Sequence, residues 1–209
     1  MRILLLTFLF LLPLTVCSQQ RFLSGESTFI AGSASVVSGN NTISQGVSVI
    51  IGFKNGIDLQ IQLAKLKSDD DISAKGTGVG ITSNYSPYRE ASGDPFNLSF
   101  GFLFTYSDLY IESKSAGINL TISKKLNSTE SAFEKVLPAI NLSYIPFSQT
   151  KTSFRYGTYS LDSFMLVQAG LGFTLNLFSN NLLIFEPALS MNLNDQNLFA
   201  GISVAYLIN

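Results

Sequence analysis

The side chains that most often perform catalysis are scarce in this sequence. Its 209 residues include no His and a single Cys, Cys17. Without His, Ser-His-Asp or Cys-His catalysis and the usual His-based metal centres are excluded. A mechanism built on carboxylates alone has no supporting pair in the sequence. We therefore expect no enzyme, no cofactor and no metal site.

Two carboxylates are nevertheless candidates for a polar site. Asp58 and Glu186 each occupy the polar face of a run in which apolar and polar residues alternate. The sequence predicts that they line a polar interior together with the amides Gln60, Gln62 and Gln168. They would either bind a cation or belong to a structural network. Because a buried carboxylate needs a partner, the network would include Lys65, Lys75 or neighbouring amides, and it is the interpretation we favour.

A second candidate site lies in the longest predicted connection, residues 147–162. Arg155, Tyr156 and Tyr159 have the side chains of a loop that contacts a sugar or protein ligand. For most of the tyrosines, the interpretation we favour is an aromatic belt at a membrane interface. The acidic run Asp69–Asp71 lacks the Gly and the distal Glu of an EF-hand, so we interpret it as a solvated loop tip.

The first residues have the organisation of an export signal. Met1-Arg2 gives a short positive region, and Ile3–Val16 is almost wholly apolar. This pattern predicts a secretory signal peptide over residues 1–18, followed by one domain over residues 19–209. The sequence Leu-Thr-Val-Cys that ends at Cys17 leaves lipidation of that residue as a less favoured alternative.

From about residue 25 onward the dominant period is two. In Phe96–Tyr106 the apolar side chains occupy every second position, with small or polar residues between most of them. Successive side chains of a strand point to opposite faces, so each such run predicts a strand with one fatty face. Turn signals such as Asn55-Gly56 separate the runs. We predict an all-β, closed antiparallel up-and-down transmembrane barrel of about ten strands, with eight as the alternative.

The low charge content decides which face of the sheet meets lipid. Charged residues make up 13% of the chain, whereas soluble domains have about 25%. They collect in the predicted connections, and the polar face of the strands carries mainly small uncharged residues. A soluble lipocalin-like barrel that binds an apolar ligand would instead expose charged residues on that face. The pattern therefore favours lipid outside and a narrow polar interior inside. The absence of a basic stripe excludes a nucleic-acid partner.

The chain resembles the small outer-membrane β-barrel proteins of Gram-negative bacteria, of the Bacteroidota type. The resemblance is carried by the signal followed by Gln19-Gln20, by the hairpin VSVIIGFKNGIDLQIQL and by the terminal strand LFAGISVAYLIN. It implies localisation in the outer membrane, with membrane lipid and the barrel-assembly machinery as partners. It also implies periplasmic termini. The extracellular loops would then be residues 38–42, 68–72, 107–114, 147–162 and 194–196, and the periplasmic turns 54–56, 83–95, 124–134 and 179–181.

For function we expect a structural or interaction barrel, an anchor or adhesin whose extracellular loops meet a ligand or protein. A narrow channel or transporter for small solutes is the alternative. Barrels of eight to ten strands are largely filled by their own side chains, whereas open porins use about 16–18 strands. The sequence gives no identity for a solute or a partner.

Overall fold

The computed structural model describes residues 28–39, 42–68, 75–108, 112–127, 135–151, 158–161, 163–178 and 181–208. Within these ranges the chain forms twelve strands and one short 3-10 helix, Glu90–Ser92. The strands are β1 (Phe29–Gly39), β2 (Thr42–Gly52), β3 (Ile57–Ser68), β4 (Lys75–Tyr88), β5 (Asn97–Asp108), β6 (Glu112–Ser123), β7 (Leu126–Asn127), β8 (Lys135–Lys151), β9 (Thr158–Leu161), β10 (Phe164–Phe178), β11 (Asn181–Asn192) and β12 (Asn197–Ile208). Among the same residues, no helix is long and apolar enough to cross a membrane.

The ten long strands of the described residues close into a barrel through antiparallel pairs. The order around the ring is β1, β2, β3, β4, β5, β6, β8, β10, β11 and β12. Closure is made by β1 and β12, which pair from Ile30 opposite Ile208 to Ser38 opposite Ala200. The short strands β7 and β9 both pair with β8. The predicted closed up-and-down barrel of ten strands is therefore confirmed.

An even number of strands brings both ends of the barrel sequence to one side. We call this side, where β1 begins and β12 ends, the terminus end, and we call the opposite side the loop end. The connections β1–β2, β3–β4, β5–β6, β8–β10 and β11–β12 lie at the loop end. The other four connections, β2–β3, β4–β5, β6–β8 and β10–β11, lie at the terminus end.

The Asn-Gly signal between β2 and β3 forms the tight turn that it predicts. Gly56 has a φ of +84°, a left-handed conformation that glycine adopts without steric cost. The Asn55 Oδ1 accepts a hydrogen bond from the Ile57 N–H at 3.2 Å. The Phe53 N–H donates to the Ile57 carbonyl at 2.8 Å and closes the hairpin. This turn fixes the register in which apolar residues of both strands share one face.

Burial alternates along every long strand for which side chains are described. In β3 the odd-numbered positions are exposed or half-buried and the even-numbered ones are buried. The exposed rows carry the large apolar residues, such as Phe102, Ile140 and Val47. Most of the inward rows carry Ser, Thr, Asn, Gln, Gly and Ala. The outside of this barrel is apolar and much of its inside is polar, which is the inverse of a soluble domain.

Several predicted boundaries are wrong in the same direction, because the strands are longer than the apolar alternation. The predicted connection 83–95 begins too early, since β4 continues to Tyr88 with Asn84 and Ser86 buried inside. The predicted connection 147–162 also begins too early, since β8 continues to Lys151 and pairs with β9. Polar inward residues and pairing with a neighbouring strand extend a strand beyond its last apolar position.

The interior is packed tightly enough to require glycine at a specific place. Gly101 on β5 lies in register with Asn84 on β4 and Asn119 on β6. A Cβ added at Gly101 would collide with the side-chain oxygens of both residues and would lie 2.7 Å from the Ser83 carbonyl oxygen. By contrast, Gly32 on β1 faces outward, and a Cβ there would meet nothing within 4 Å.

We predict that Gly101→Ala lowers the free energy of unfolding by about 1–3 kcal/mol, the usual cost of overpacking. Gly32→Ala is the matched control and should leave stability nearly unchanged, because both glycines have ordinary strand dihedrals. The measurement is the urea midpoint of detergent-folded protein, followed by circular dichroism. Equal midpoints for the two variants would contradict this description of the interior.

Candidate functional site

The five residues predicted to line the interior are all on inward positions. Three of them, Asp58, Gln60 and Gln62, follow one another on the inner face of β3, with exposed fractions of 1%, 3% and 3%. Gln168 on β10 and Glu186 on β11 are exposed by 4% and 1%. Each stands between apolar neighbours that face outward, so the period of two places its polar group inside.

Asp58 is held by an amide on the neighbouring strand. It lies directly opposite Asn84, whose Nδ2 donates to the Asp58 Oδ1 at 2.8 Å. The Asn84 side chain reaches the inner wall beside Gly101, where the missing Cβ leaves room for it. The carboxylate is therefore hydrogen-bonded across β3 and β4, and the amide that holds it packs against β5 at Gly101.

The glutamines of β3 continue this polar layer toward β2 and β1. The Gln60 Nε2 donates to the Ser48 Oγ at 3.0 Å, and the Ser48 Oγ lies 2.6 Å from the Ser33 Oγ. Gln62 passes over Gly46, because a Cβ at Gly46 would lie 2.8 Å from the Gln62 Nε2. These amides cross the inner wall and fill space that an open channel would need.

Glu186 occupies the opposite sector of the wall. It lies opposite Ser203 on β12, and its carboxylate covers Gly170 on β10, where an added Cβ would lie 2.6 Å from the Glu186 Oε1. Strands β2, β1 and β12 separate β11 from β3 in the ring. The structure therefore gives Glu186 and Asp58 different neighbours along the wall.

The lysines predicted as alternative partners of these carboxylates are on the wrong face. Lys65 on β3 and Lys75 on β4 are both exposed on the outer wall. Among the described residues, the buried charged side chains are Asp58 and Glu186, with no buried Lys or Arg. The prediction that Lys65 or Lys75 joins the interior network is wrong, and for Asp58 the amide of Asn84 takes that place.

Two apolar clusters in the interior were not predicted from the sequence. The loop-end cluster consists of Val37, Leu103, Ile145, Phe164, Leu166, Ala188 and Phe199. The terminus-end cluster consists of Phe29, Ala31, Ile50, Leu137, Ala139, Ile184 and Leu207, with Leu182 packed against it. A large residue among small neighbours on the inward face was the available signal, as at Phe164 and Phe199.

Burial of the polar lining shows how the interior is filled. The side chains of a water-filled channel remain accessible to water, yet the five predicted lining residues are at most 4% exposed. Phe164 and Phe199, on β10 and β12, are among the largest fully buried side chains. In the part of the chain that the structure describes, the inner wall is occupied by packed side chains.

A network of turn residues ties the hairpins together at the terminus end. The Arg89 Nη1 donates to the Lys54 carbonyl of the β2–β3 turn at 2.7 Å. The Glu90 Oε2 accepts from the Asn97 Nδ2 at 2.7 Å and from the Lys125 N–H, beyond β6, at 2.8 Å. These contacts connect three successive hairpins and hold the turns of this end close to the barrel wall.

The predicted loop contacts fall mostly outside the described residues. Arg155 and Tyr156 lie there, as do the acidic run Asp69–Asp71 and Cys17. Tyr159 lies in β9, where its backbone is opposite Thr150 of β8. Within the described ranges, no group of three or more potential metal ligands comes together.

Comparison with known proteins gives a fold and no sequence family. No protein-family model matches the chain, and no curated protein resembles it in sequence. Among solved structures, the translocator domain of autotransporter NalP from Neisseria meningitidis is 12% identical, with a TM-score of 0.52, over 94% of this chain and 93% of that one.

Two further solved structures are similar at lower scores. The N-terminal β-barrel domain of Pseudomonas aeruginosa OprF is 10% identical, with a TM-score of 0.36, over 87% of this chain and 98% of that one. Ail of Yersinia pestis, solved with the heparin analogue sucrose octasulfate, is 12% identical, with a TM-score of 0.28, over 87% of this chain and 97% of that one. The likeness to the NalP domain carries the structural conclusion: the chain has the fold of Gram-negative outer-membrane β-barrels.

Proposed function

We propose that this chain is an integral outer-membrane β-barrel that acts as a closed anchor. Its loop end would carry the segments that meet a ligand or protein outside the cell, chiefly the β8–β10 connection with Arg155, Tyr156 and Tyr159. The proposal requires three things: a lipid-facing outer wall, an interior without an open path, and an orientation that places the loop end outside.

The outer wall is the observation that carries the proposal. Large apolar side chains are exposed on every strand of the ring, for example Phe102 at 73%, Ile140 at 60% and Val47 at 59%. A soluble monomer rarely exposes a contiguous apolar patch of more than a few hundred Å². Here the apolar surface surrounds the whole barrel, and this is the surface that a lipid bilayer stabilises.

The closed ring also meets the need of a bilayer-spanning sheet for internal backbone hydrogen bonds. No water is available in the hydrocarbon region, so each backbone N–H and C=O must find a partner within the protein. The β1–β12 pairing removes the free edges that an open sheet would expose. A soluble lipocalin-like barrel shares such closure, but it buries an apolar ligand cavity and exposes polar residues. In this barrel, the large apolar side chains are outside and most of the polar ones are inside.

The filled interior favours an anchor over a transporter. Asp58, Gln60 and Glu186 are buried within the packed wall, and the two apolar clusters add side chains at each end. The hydrogen bonds of Asp58 and Gln60 to neighbouring strands support a structural role for these two residues. A narrow or gated path for small solutes is the competing function.

Export and orientation complete the proposal. Cleavage after Ser18 would release a chain whose barrel is inserted by the assembly machinery of a Gram-negative bacterium, of the Bacteroidota type by resemblance. Lipidation of Cys17 is the competing form of processing. Both barrel termini lie at one end, and we place that end in the periplasm. The longest connection of the barrel, between β8 and β10, would then be extracellular, where outer-membrane barrels carry their longer loops.

A charge placed at the middle of the outer wall tests the contact with lipid. We predict that Phe102→Lys destabilises the bilayer-inserted barrel by about 2–4 kcal/mol. Phe53→Lys is the matched control: Phe53 is 44% exposed in the β2–β3 turn, where a lysine would reach water and cost about 0–1 kcal/mol. The measurement is urea unfolding from phospholipid vesicles, with heat-modifiable gel migration to confirm folding.

Purification of the mature chain as a folded monomer without detergent would overturn the membrane assignment. Equal stabilities for Phe102→Lys and Phe53→Lys in vesicles would overturn it as well.

Conductance separates the anchor from the channel. We predict that the wild-type barrel gives no steady ion-sized openings in planar bilayers, because its interior is filled.

We also predict that Asp58→Ala lowers the free energy of unfolding by about 1–3 kcal/mol, since it leaves a buried Asn84 donor without its acceptor. Asp58→Asn keeps an acceptor oxygen and should cost less. Neither variant should change the conductance.

Steady openings in the wild type would contradict the anchor and support the transporter. A conductance that changes with Asp58→Asn, while stability does not, would assign this carboxylate to a solute path.

A further inference from the structure

Three lysines interrupt the apolar surface of the barrel on one side of the loop end. Lys65 and Lys67 lie at the end of β3 and Lys75 at the start of β4, and all three are exposed on the outer wall. On the same strands the wall toward the terminus end is apolar, with Ile61, Leu63 and others. We call Lys65, Lys67 and Lys75 the lysine cluster; it lies where the apolar surface gives way to the loops.

The register forces these positive charges together. Lys67 lies directly opposite Lys75, and Lys65 is opposite Thr77, the next outward residue of β4 after Lys75. Like charges directly opposite each other on a sheet are destabilising. Within the described residues none of the three forms an ion pair, whereas Lys114 on the same end pairs with Glu112 at 3.2 Å. Such a cluster is stabilised by an anion bound between the side chains.

The cluster surrounds a depression large enough for a phosphate headgroup. The depression has a volume of about 480 Å³ and is lined by Lys65, Lys67, Lys75, Thr77 and Asp108, among others. The Asp108 Oδ1 accepts from the Thr77 N–H at 2.6 Å and from the Thr77 Oγ1 at 2.9 Å. The three lysines and the Asp108 carboxylate together give the lining a net charge of +2.

An apolar groove continues from the depression along the outer wall. Its volume is about 470 Å³, and Val47, Leu63 and Val79 line it. The small inward residues Gly46, Ala64 and Gly78 form the next row across the strands, between this row and that of Gln45, Lys65 and Thr77. Gln45, Lys65 and Thr77 line both the groove and the depression, so the two are continuous. A cationic recess above an apolar groove matches one kind of ligand, a lipid with an anionic headgroup.

We propose that this surface binds one membrane lipid with an anionic phosphate headgroup. The phosphate would occupy the lysine cluster, and an acyl chain would lie in the groove beside Val47, Leu63 and Val79. A free phosphate ion would use only the depression, whereas the continuous apolar groove favours a lipid. The proposal rests on the proposed membrane location, since only there does the groove face acyl chains.

The test compares two lipids that differ in charge. The folded full-length mature chain, with Asp69–Asp71 present, is titrated with phosphatidylglycerol, with phosphatidylcholine of the same acyl chains and with inorganic phosphate. Bound lipids are counted by native mass spectrometry. We expect a preference for phosphatidylglycerol that falls by roughly fivefold for each lysine changed in Lys65→Gln, Lys67→Gln and Lys75→Gln.

Two further variants separate charge from shape. The triple variant Lys54→Gln, Lys124→Gln and Lys135→Gln removes the same charge at the terminus end and should keep the preference. Val47→Trp places a bulky side chain in the groove alone, because Val47 lines the groove and not the depression. It should weaken phosphatidylglycerol binding and leave the binding of inorganic phosphate unchanged.

An unchanged preference in the lysine-cluster triple variant would overturn the proposal. Inorganic phosphate that competes as strongly as the lipid would reduce the surface to an anion site and overturn the lipid assignment. Heat-modifiable migration of every variant reports folding independently. A chain that fails to insert into vesicles would refute the proposed membrane location, whatever its lipid preference.

Discussion

The antiparallel pairing of β1 with β12 is the interaction on which the rest of the structure depends. From Ile30 opposite Ile208 to Ser38 opposite Ala200, it joins the two ends of the chain's sheet and removes its free edges. A β-sheet satisfies its backbone in lipid only when it closes into a ring without edges. Closure also separates two environments, because each strand then presents alternate residues to the inside and to the outside. The apolar outer wall and the polar inner layers follow from this one constraint.

Closure creates an enclosed interior, and the inward side chains determine how it is filled. A ring of ten strands encloses a space that must be packed or hydrated. Here Asn84, drawn in beside Gly101, holds Asp58, and Glu186 covers Gly170. Apolar clusters add bulk at both ends. An interior filled in this way stabilises the barrel and leaves the loop end, together with the outer wall, as the surfaces available for interaction.

Much of the fold could be predicted from the sequence, because the period of two and the turn signals are local. The interior positions of Asp58 and Glu186 follow from the same period. The sequence also carried the correct face of Lys65, which is in phase with the outward Ile61 and Leu63. Lys65 is therefore outside the barrel, and the Asn84 amide is the partner of Asp58 instead. The extent of β4 beyond Thr82 was missed because its inward residues, such as Asn84 and Ser86, are polar. The contacts that extend this strand come from β3 and β5, which are far away in sequence.

Accessibility measured position by position gives the most direct test of a lipid-facing outer wall. The single Cys of the sequence, Cys17, lies in the predicted signal peptide, so a cysteine introduced at Phe102 can carry the only spin label of the mature chain. In vesicles, power saturation should show that this label is relaxed by oxygen dissolved in the bilayer and shielded from a water-soluble nickel chelate. A label at Phe102 that is relaxed mainly by the nickel chelate would contradict a barrel whose apolar wall lies in lipid.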